Sequence, residues 1–235
     1  MSLVFACIAP HGDLEEIPEL RAAMEELGRR FDAAGVETAI VVTPHNVHVE
    51  RHFAVVTAAH AGEWEVDRET AAALLQADLP ILGVSYGGNL VEQAEMPLDW
   101  GTEVPLDFLA ARRVVVVAPA RDLPLEQHVR LGEAIAALPG KVALIASADH
   151  GHTHSADGPY GYDPASVAYD DRLQEILASD RLDFLPLAEL VDDAKADSLW
   201  QLLVLQGAVG ETARADVLAY VAQSYFGMLV AEVTT

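Results

Sequence analysis

The chain has 235 residues, 51% of them hydrophobic, and a formal net charge of −23. That much apolar material builds one large domain or two small ones and excludes a disordered chain. No apolar run approaches the ~18–20 residues that cross a bilayer, and a surface this acidic repels phosphate backbones, so nucleic acid and anionic membranes are poor partners. Lys141 and Lys195 are the only lysines, and the acidic residues are scattered, as on a solubilising surface. Cys7 is the single cysteine, so no internal disulfide forms. The N-terminus opens directly on a strand pattern with no basic region before it, so no signal peptide and a cytoplasmic location are expected.

In chain order, Leu3 to Ala9 reads as a buried strand ending in Pro10-His11. Ile17, Leu20, Ala23, Met24, Leu27 and Phe31 recur at helical spacing, with Gly35 as the stop. Thr38 to Thr43 is a second strand, ending in Pro44-His45. Strand, helix and strand make a βαβ unit, whose strands are expected to be parallel neighbours. Residues 52–58 and 63–67 read as strands around a Gly62 turn, 68–76 as a short helix and 81–86 as a strand. Residues 87–105 read as loop or weak helix, and Pro105 to Ala111 as a helix. Val114 to Val117 is a fully buried strand pattern, Leu125 to Leu138 a helix, and Lys141 to Ala146 another buried strand. Residues 147–168, rich in His, Gly, Asp, Pro and Tyr, form a long loop of the kind that carries function. Helices follow at 169–178 and 197–206, and residues 217–233 alternate like strands around Tyr225-Phe226-Gly227. No internal repeat, low-complexity linker or domain break is visible.

Parallel strands share an edge at their carboxyl ends, and open α/β sheets bind ligands there. His11 and His45 occupy matched positions on that edge. Neutral imidazole is the commonest metal ligand, and two histidines with one carboxylate and open positions suit non-haem Fe(II) and O2. Glu189, Asp192, Asp193 and Asp197 are candidates for the carboxylate. Asp197 is equally a natural N-cap for the helix beginning Ser198-Leu199-Trp200, and position alone leaves both roles open. His150, His152 and His154 alternate, so in an extended segment one faces the site and another solvent. A histidine beside a metal but not bound to it suits acid–base work. His48, His52 and His60 lack such context and read as surface residues or as supports behind the site. Cys7 is inside a strand, and neither a nucleophile elbow, a Walker loop nor a dinucleotide fingerprint occurs.

Six segments, taken in order, are Ile8-Ala9-Pro10-His11-Gly12, Val42-Thr43-Pro44-His45, Leu98-Asp99-Trp100-Gly101-Thr102-Glu103-Val104-Pro105-Leu106, Ala146-Ser147-Ala148-Asp149-His150-Gly151-His152, Asp157-Gly158-Pro159-Tyr160-Gly161-Tyr162 and Tyr225-Phe226-Gly227-Met228-Leu229-Val230-Ala231. Together they resemble the class III extradiol ring-cleavage dioxygenases, the group that holds the catalytic subunit of protocatechuate 4,5-dioxygenase and the Memo-like proteins. The resemblance implies a single domain over 1–235, an α/β three-layer α/β/α sandwich with a central, largely parallel or mixed sheet. It implies Fe(II) as cofactor (zinc as isolated), held by His11 and His45, with His152 as acid–base catalyst. The family's carboxylate falls at or beside Ser198, which makes the adjacent Asp197 the expected ligand. Many members carry a histidine where this chain has Trp100, so Trp100, with Thr102 and Tyr160, is expected on the substrate-pocket wall. A small aromatic substrate of catechol or o-aminophenol type and O2 follow as partners, in a homo-oligomer or with a second small subunit. The alternatives are a Memo-like metal-binding or interaction protein without ring cleavage and, third, a zinc hydrolase.

Overall fold

The computed structural model describes residues 3–88 and 90–234. In chain order the elements are β1 (Leu3–Ala9), α1 (Pro18–Ala34), β2 (Thr38–Val42), β3 (Phe53–Val56), β4 (His60–Ala61), β5 (Trp64–Val66), α2 (Arg68–Leu74), β6 (Ile81–Val84), β7 (Glu95–Met96), α3 (Trp100–Phe108), β8 (Arg113–Ala118), α4 (Leu125–Ala136), β9 (Val142–Ser147), α5 (Ala165–Ala178), α6 (Val191–Ala194), α7 (Leu199–Val209), β10 (Arg214–Val221) and β11 (Met228–Thr234).

The apolar strands β1, β9, β2 and β8 lie side by side in that order, all parallel. The expected adjacency of β1 and β2 is therefore corrected, because β9 bonds to both. Every residue of β9 is buried, so the most apolar position in the sheet goes to a strand with no solvent face. Two strand spacings hold β1 and β2 ~10 Å apart, a gap that two facing side chains can span. β11 adds antiparallel to β1 and β10 to β11, which makes the sheet mixed. On the far side, β8 shares its free edge between β5, paired near Arg113 and Val114, and β3, paired antiparallel near Val117 and Ala118. The Gly62 turn joins β4 to β5, whereas β3 pairs with β6 and β8.

Strand alternation divides the core between two faces. Ala6 and Ile8 of β1 pack with α2, α4, α5 and α7. Phe5, Cys7 and Ala9 pack on the opposite face with α1 and α3. The result is a three-layer α/β/α sandwich. Its helices begin and end where local chemistry dictates. α1 starts on Pro18 and stops at Gly35, whose φ of 64° only glycine adopts without strain. Asp67 caps α2 through the Thr70 N–H. α3 starts at Trp100 and runs through Pro105 instead of starting there. α5 begins at Ala165, inside the expected loop.

α4 and α7 cross in close contact because Gly132 and Gly207 face each other's backbones. A Cβ on Gly132 would overlap the Val204 carbonyl, and one on Gly207 the Val129 carbonyl. Gly207→Ala forces the helices apart and is expected to cost about 1–3 kcal/mol. Urea unfolding of wild type and variant measures the loss.

His128 of α4 is fully buried, edge-on to Phe53 at 5.0 Å. Neither ring nitrogen has a hydrogen-bond partner among the described residues, and burial pushes the imidazole down to about 4. Its folded value lies below its unfolded one, so its contribution is present above about pH 6.5 and is lost as pH falls toward 4. The full span is on the order of 3 kcal/mol. His128→Leu is expected to flatten the fall in stability between these pH values by that amount, read from urea midpoints at each pH.

Candidate metal centre

His11 lies two residues past β1, and a relay fixes its ring. Pro105 has no N–H, so the Gly101 carbonyl four residues earlier has no helical donor. Ser147, at the end of β9, donates its hydroxyl to that carbonyl. With its proton committed, the Ser147 oxygen accepts from His11 Nδ1 at 3.0 Å. The neutral imidazole therefore holds its proton on Nδ1 and presents the Nε2 lone pair. The His11 backbone N–H donates to Asp149 Oδ1 at 3.1 Å.

His45 hangs from the end of β2. Its N–H donates to Thr43 Oγ1 (3.3 Å), and the Thr43 hydroxyl donates to Asp99 Oδ1 (2.6 Å). Asp99 Oδ2 also accepts from Asn46 (2.8 Å) and Thr102 (3.0 Å), which ties the β2 edge to the start of α3. Thr102 is fully buried and its hydroxyl holds Asp99, so it stands behind the first turn of α3 and not on a cavity wall. Trp100, 57% exposed, lies 4.4 Å from the His45 ring.

Asp197 precedes α7. Ser198, not Asp197, is the N-cap residue. One residue on a helix turns a side chain by about 100°, and the two side chains diverge accordingly. The Ser198 hydroxyl meets His150 Nδ1 and the Tyr169 hydroxyl, both at 3.0 Å, on the inner side. Asp197 Oδ1 accepts the Asp149 N–H (3.2 Å), and Oδ2 stands 3.5 Å from Nε2 of both His11 and His45. The two Nε2 atoms are 3.0 Å apart. Ligands ~2.1 Å from a common metal at angles of ~90–110° stand ~3.0–3.5 Å from one another. The donor set and its edges thus fit one divalent ion, and among the described residues this is the group so placed.

Asp149 escapes the sequence pattern yet is integral to the cluster. It is buried, with Oδ2 3.5 Å from His11 Nε2. Its place beside the His150-Gly151-His152 tract was the available signal. Burial opposes a charge on His11, but Asp149, Asp197 and Asp99 outweigh it and lift the imidazole to about 9. Burial and then the charge of His11 push His45 down to about 4. Burial raises Asp149 to about 6, aided by the like charge of Asp197 and opposed by His11. Asp197, despite burial, is held below the usual carboxylate range by its hydrogen bond to His11 and the neighbouring imidazoles.

His152 donates Nδ1–H to the His150 carbonyl at 2.6 Å, so Nε2 is its free nitrogen. Its ring stacks on Phe226 (5.4 Å, 16°) and lies 6.3 Å from Tyr160. The expectation that one histidine of the tract faces solvent is corrected. His150 is fully buried, and His154 bonds to buried Asp170 at 2.8 Å. His48 and His60 lie on the surface, and His52 is half-buried. A cavity of about 250 Å³ lies on the opposite sheet edge. A larger one of about 550 Å³ adjoins His11 and is walled by Leu14, Trp100, Val104 and Phe108, within the ~300–1,000 Å³ of ligand sites.

An α/β/α sandwich with a His-His-Asp cluster at the carboxyl edge of its sheet defines a metalloenzyme scaffold. The chain belongs to the family of the catalytic LigB subunit of aromatic ring-opening dioxygenase, whose model matches residues 15–230. The enzyme type is accordingly a dioxygenase that opens aromatic rings. His45, His152 and Asp197 lie inside the matched span, and His11 lies just before it. An uncharacterized protein of Escherichia coli, JW3007 from strain K12, has a similar fold, with a TM-score of 0.67 at 16% identity over 97% of this chain and 99% of that one. No curated protein is similar at a significant level. No helix among the described residues is long and apolar enough to cross a membrane.

Asp197→Asn is expected to weaken divalent-metal binding by more than about 100-fold, whereas Ser198→Ala leaves it within a few-fold. Calorimetric titration of the metal-free protein with Fe(II) or Zn(II) compares the two.

Proposed function

We propose that the protein is a non-haem Fe(II)-dependent extradiol dioxygenase acting on a catechol-type or o-aminophenol-type ring. The observation that carries this reading is the convergence of His11, His45 and Asp197, with His152, whose Nε2 is free, close enough to act electrostatically on Asp197 and Asp149. Fe(II), when bound, would supply coordination sites for the vicinal substituents and O2 and a path for charge between them. The chain's own residues do the rest. His11 and His45 present fixed lone pairs, and Asp197 contributes the anionic donor. Trp100, exposed beside His45, offers a flat indole for the ring to lie against, and Tyr160 flanks the far side near His152. His152 Nε2 takes the proton from a substrate hydroxyl and returns it as the ring opens. Phe226 and Tyr225 pack against the imidazole and hold its ring in place.

The test is anaerobic purification, loading with Fe(II), and O2 uptake across a panel of catechols and o-aminophenols. His152→Ala is expected to retain iron and lose about 100-fold or more in turnover, whereas His11→Ala loses the iron itself. Tight stoichiometric iron with no uptake on any ring would overturn ring cleavage and favour a Memo-like binding role.

A further inference from the structure

Two of the three histidines in the 150–154 tract play no direct part in the function proposed above. We propose that Asp170 of α5, with His154 as its partner, is the positioning residue for His152, and this inference rests on His152 as the acid–base group. Asp170 is 1% exposed, and among the described residues it has no lysine or arginine partner. Its carboxylate instead gathers three donors, two from the 150–154 tract and one from β10. Oδ1 accepts the Gly151 N–H at 2.8 Å. Oδ2 accepts the Tyr220 hydroxyl of β10 at 2.7 Å and His154 Nε2–H at 2.8 Å. Gly151 and His154 bracket His152.

The same carboxylate abuts the segment on which the ring rests. The His152 ring rests on Phe226, and the 225–227 segment is laced to 150–154 by three backbone bonds. These are His150 N–H to Gly227 O (2.8 Å), Gly227 N–H to Gly151 O (3.0 Å) and His154 N–H to Tyr225 O (3.0 Å). A Cβ at Gly227 would overlap Asp170 Oδ2, so glycine there is what admits the carboxylate. Asp170 therefore bonds both flanks of His152 and packs against Gly227, next to the Phe226 that supports the ring. A displacement of 1 Å at an acid–base group costs up to about 100-fold in rate.

The experiment is a double-mutant cycle on the iron-loaded protein. Asp170→Asn keeps the volume but sets an NH2 group among three donors. It is expected to lower kcat about 10- to 100-fold with KM and iron affinity within about threefold, and Asp170→Asn/His152→Ala is expected to be no slower than His152→Ala alone. Tyr220→Phe, which removes one donor without touching the fold of the loop, gives a smaller loss of the same kind. In metal-free protein, the 15N-detected Nδ1–H resonance of His152 is expected to shift or broaden in both variants. Losses that add to that of His152→Ala, or wild-type kcat with an unmoved resonance, would overturn the proposal. If wild type opens no ring, the dioxygenase reading fails on its own, and the His152 resonance alone decides the role of Asp170. If Asp170→Asn does not fold, Tyr220→Phe carries the same comparison.

Discussion

Two carboxylates, Asp149 and Asp197, are buried against two imidazoles with no lysine or arginine bonded to either among the described residues. Buried negative charge in a low-dielectric setting demands a counter-charge. The architecture around it can be understood as meeting that demand. In the metal-free protein a proton on His11 supplies part of it, which is why that imidazole is lifted while its neighbour His45 is pushed down. A divalent cation meets the whole of it, and neutral imidazoles become ligands only as the proton leaves. The remaining contacts of the site have one effect in common: they keep the donor atoms of His11, His45 and Asp197 gathered at one point.

The aiming is distributed across layers. β9 lies between the strands that carry the two histidines and sends Ser147 and Asp149 into the gap between them. α3, on one face of the sheet, brings Asp99, Trp100 and the Gly101 carbonyl to the same edge. α7, on the other face, starts immediately after Asp197 and is pressed against α4 at a glycine-lined crossing. The sheet thus fixes the spacing of the histidines, and the two helical layers fix the third donor and the wall. Such a site on rigid elements holds its geometry before anything binds.

The convergence of His11 and His45 was legible because each follows an apolar run that ends in Pro-His, and strand ends can be found from local pattern. The sandwich was implied by the family resemblance, and the alternating strand and helix signals agreed with it. Strand order was not legible, since nothing within β1, α1 or β2 announces that β9 intervenes. Asp197 could be named but not distinguished from a helix cap, because that choice depends on which way the chain leaves α6, where Lys195 adopts a left-handed φ of 53°. The roles of Asp149, despite its place beside the histidine tract, and of Asp170 were not legible for a related reason. A buried carboxylate looks like a surface one until its donors are known, and theirs come from residues distant in sequence. Thr102 was expected to line the cavity from its motif, whereas its hydroxyl is consumed by Asp99 one turn back.

Pro105 contributes no ligand and faces no cavity, yet it reaches His11 through two hydrogen bonds. A residue with an amide proton there would let α3 satisfy the Gly101 carbonyl itself. The Ser147 hydroxyl would then be free to rotate and to donate toward His11, and the imidazole could carry its proton on the nitrogen that faces the cluster. One tautomer coordinates and the other repels a cation. The imino acid settles the matter covalently, so the polarity of that imidazole is set when the chain is synthesised.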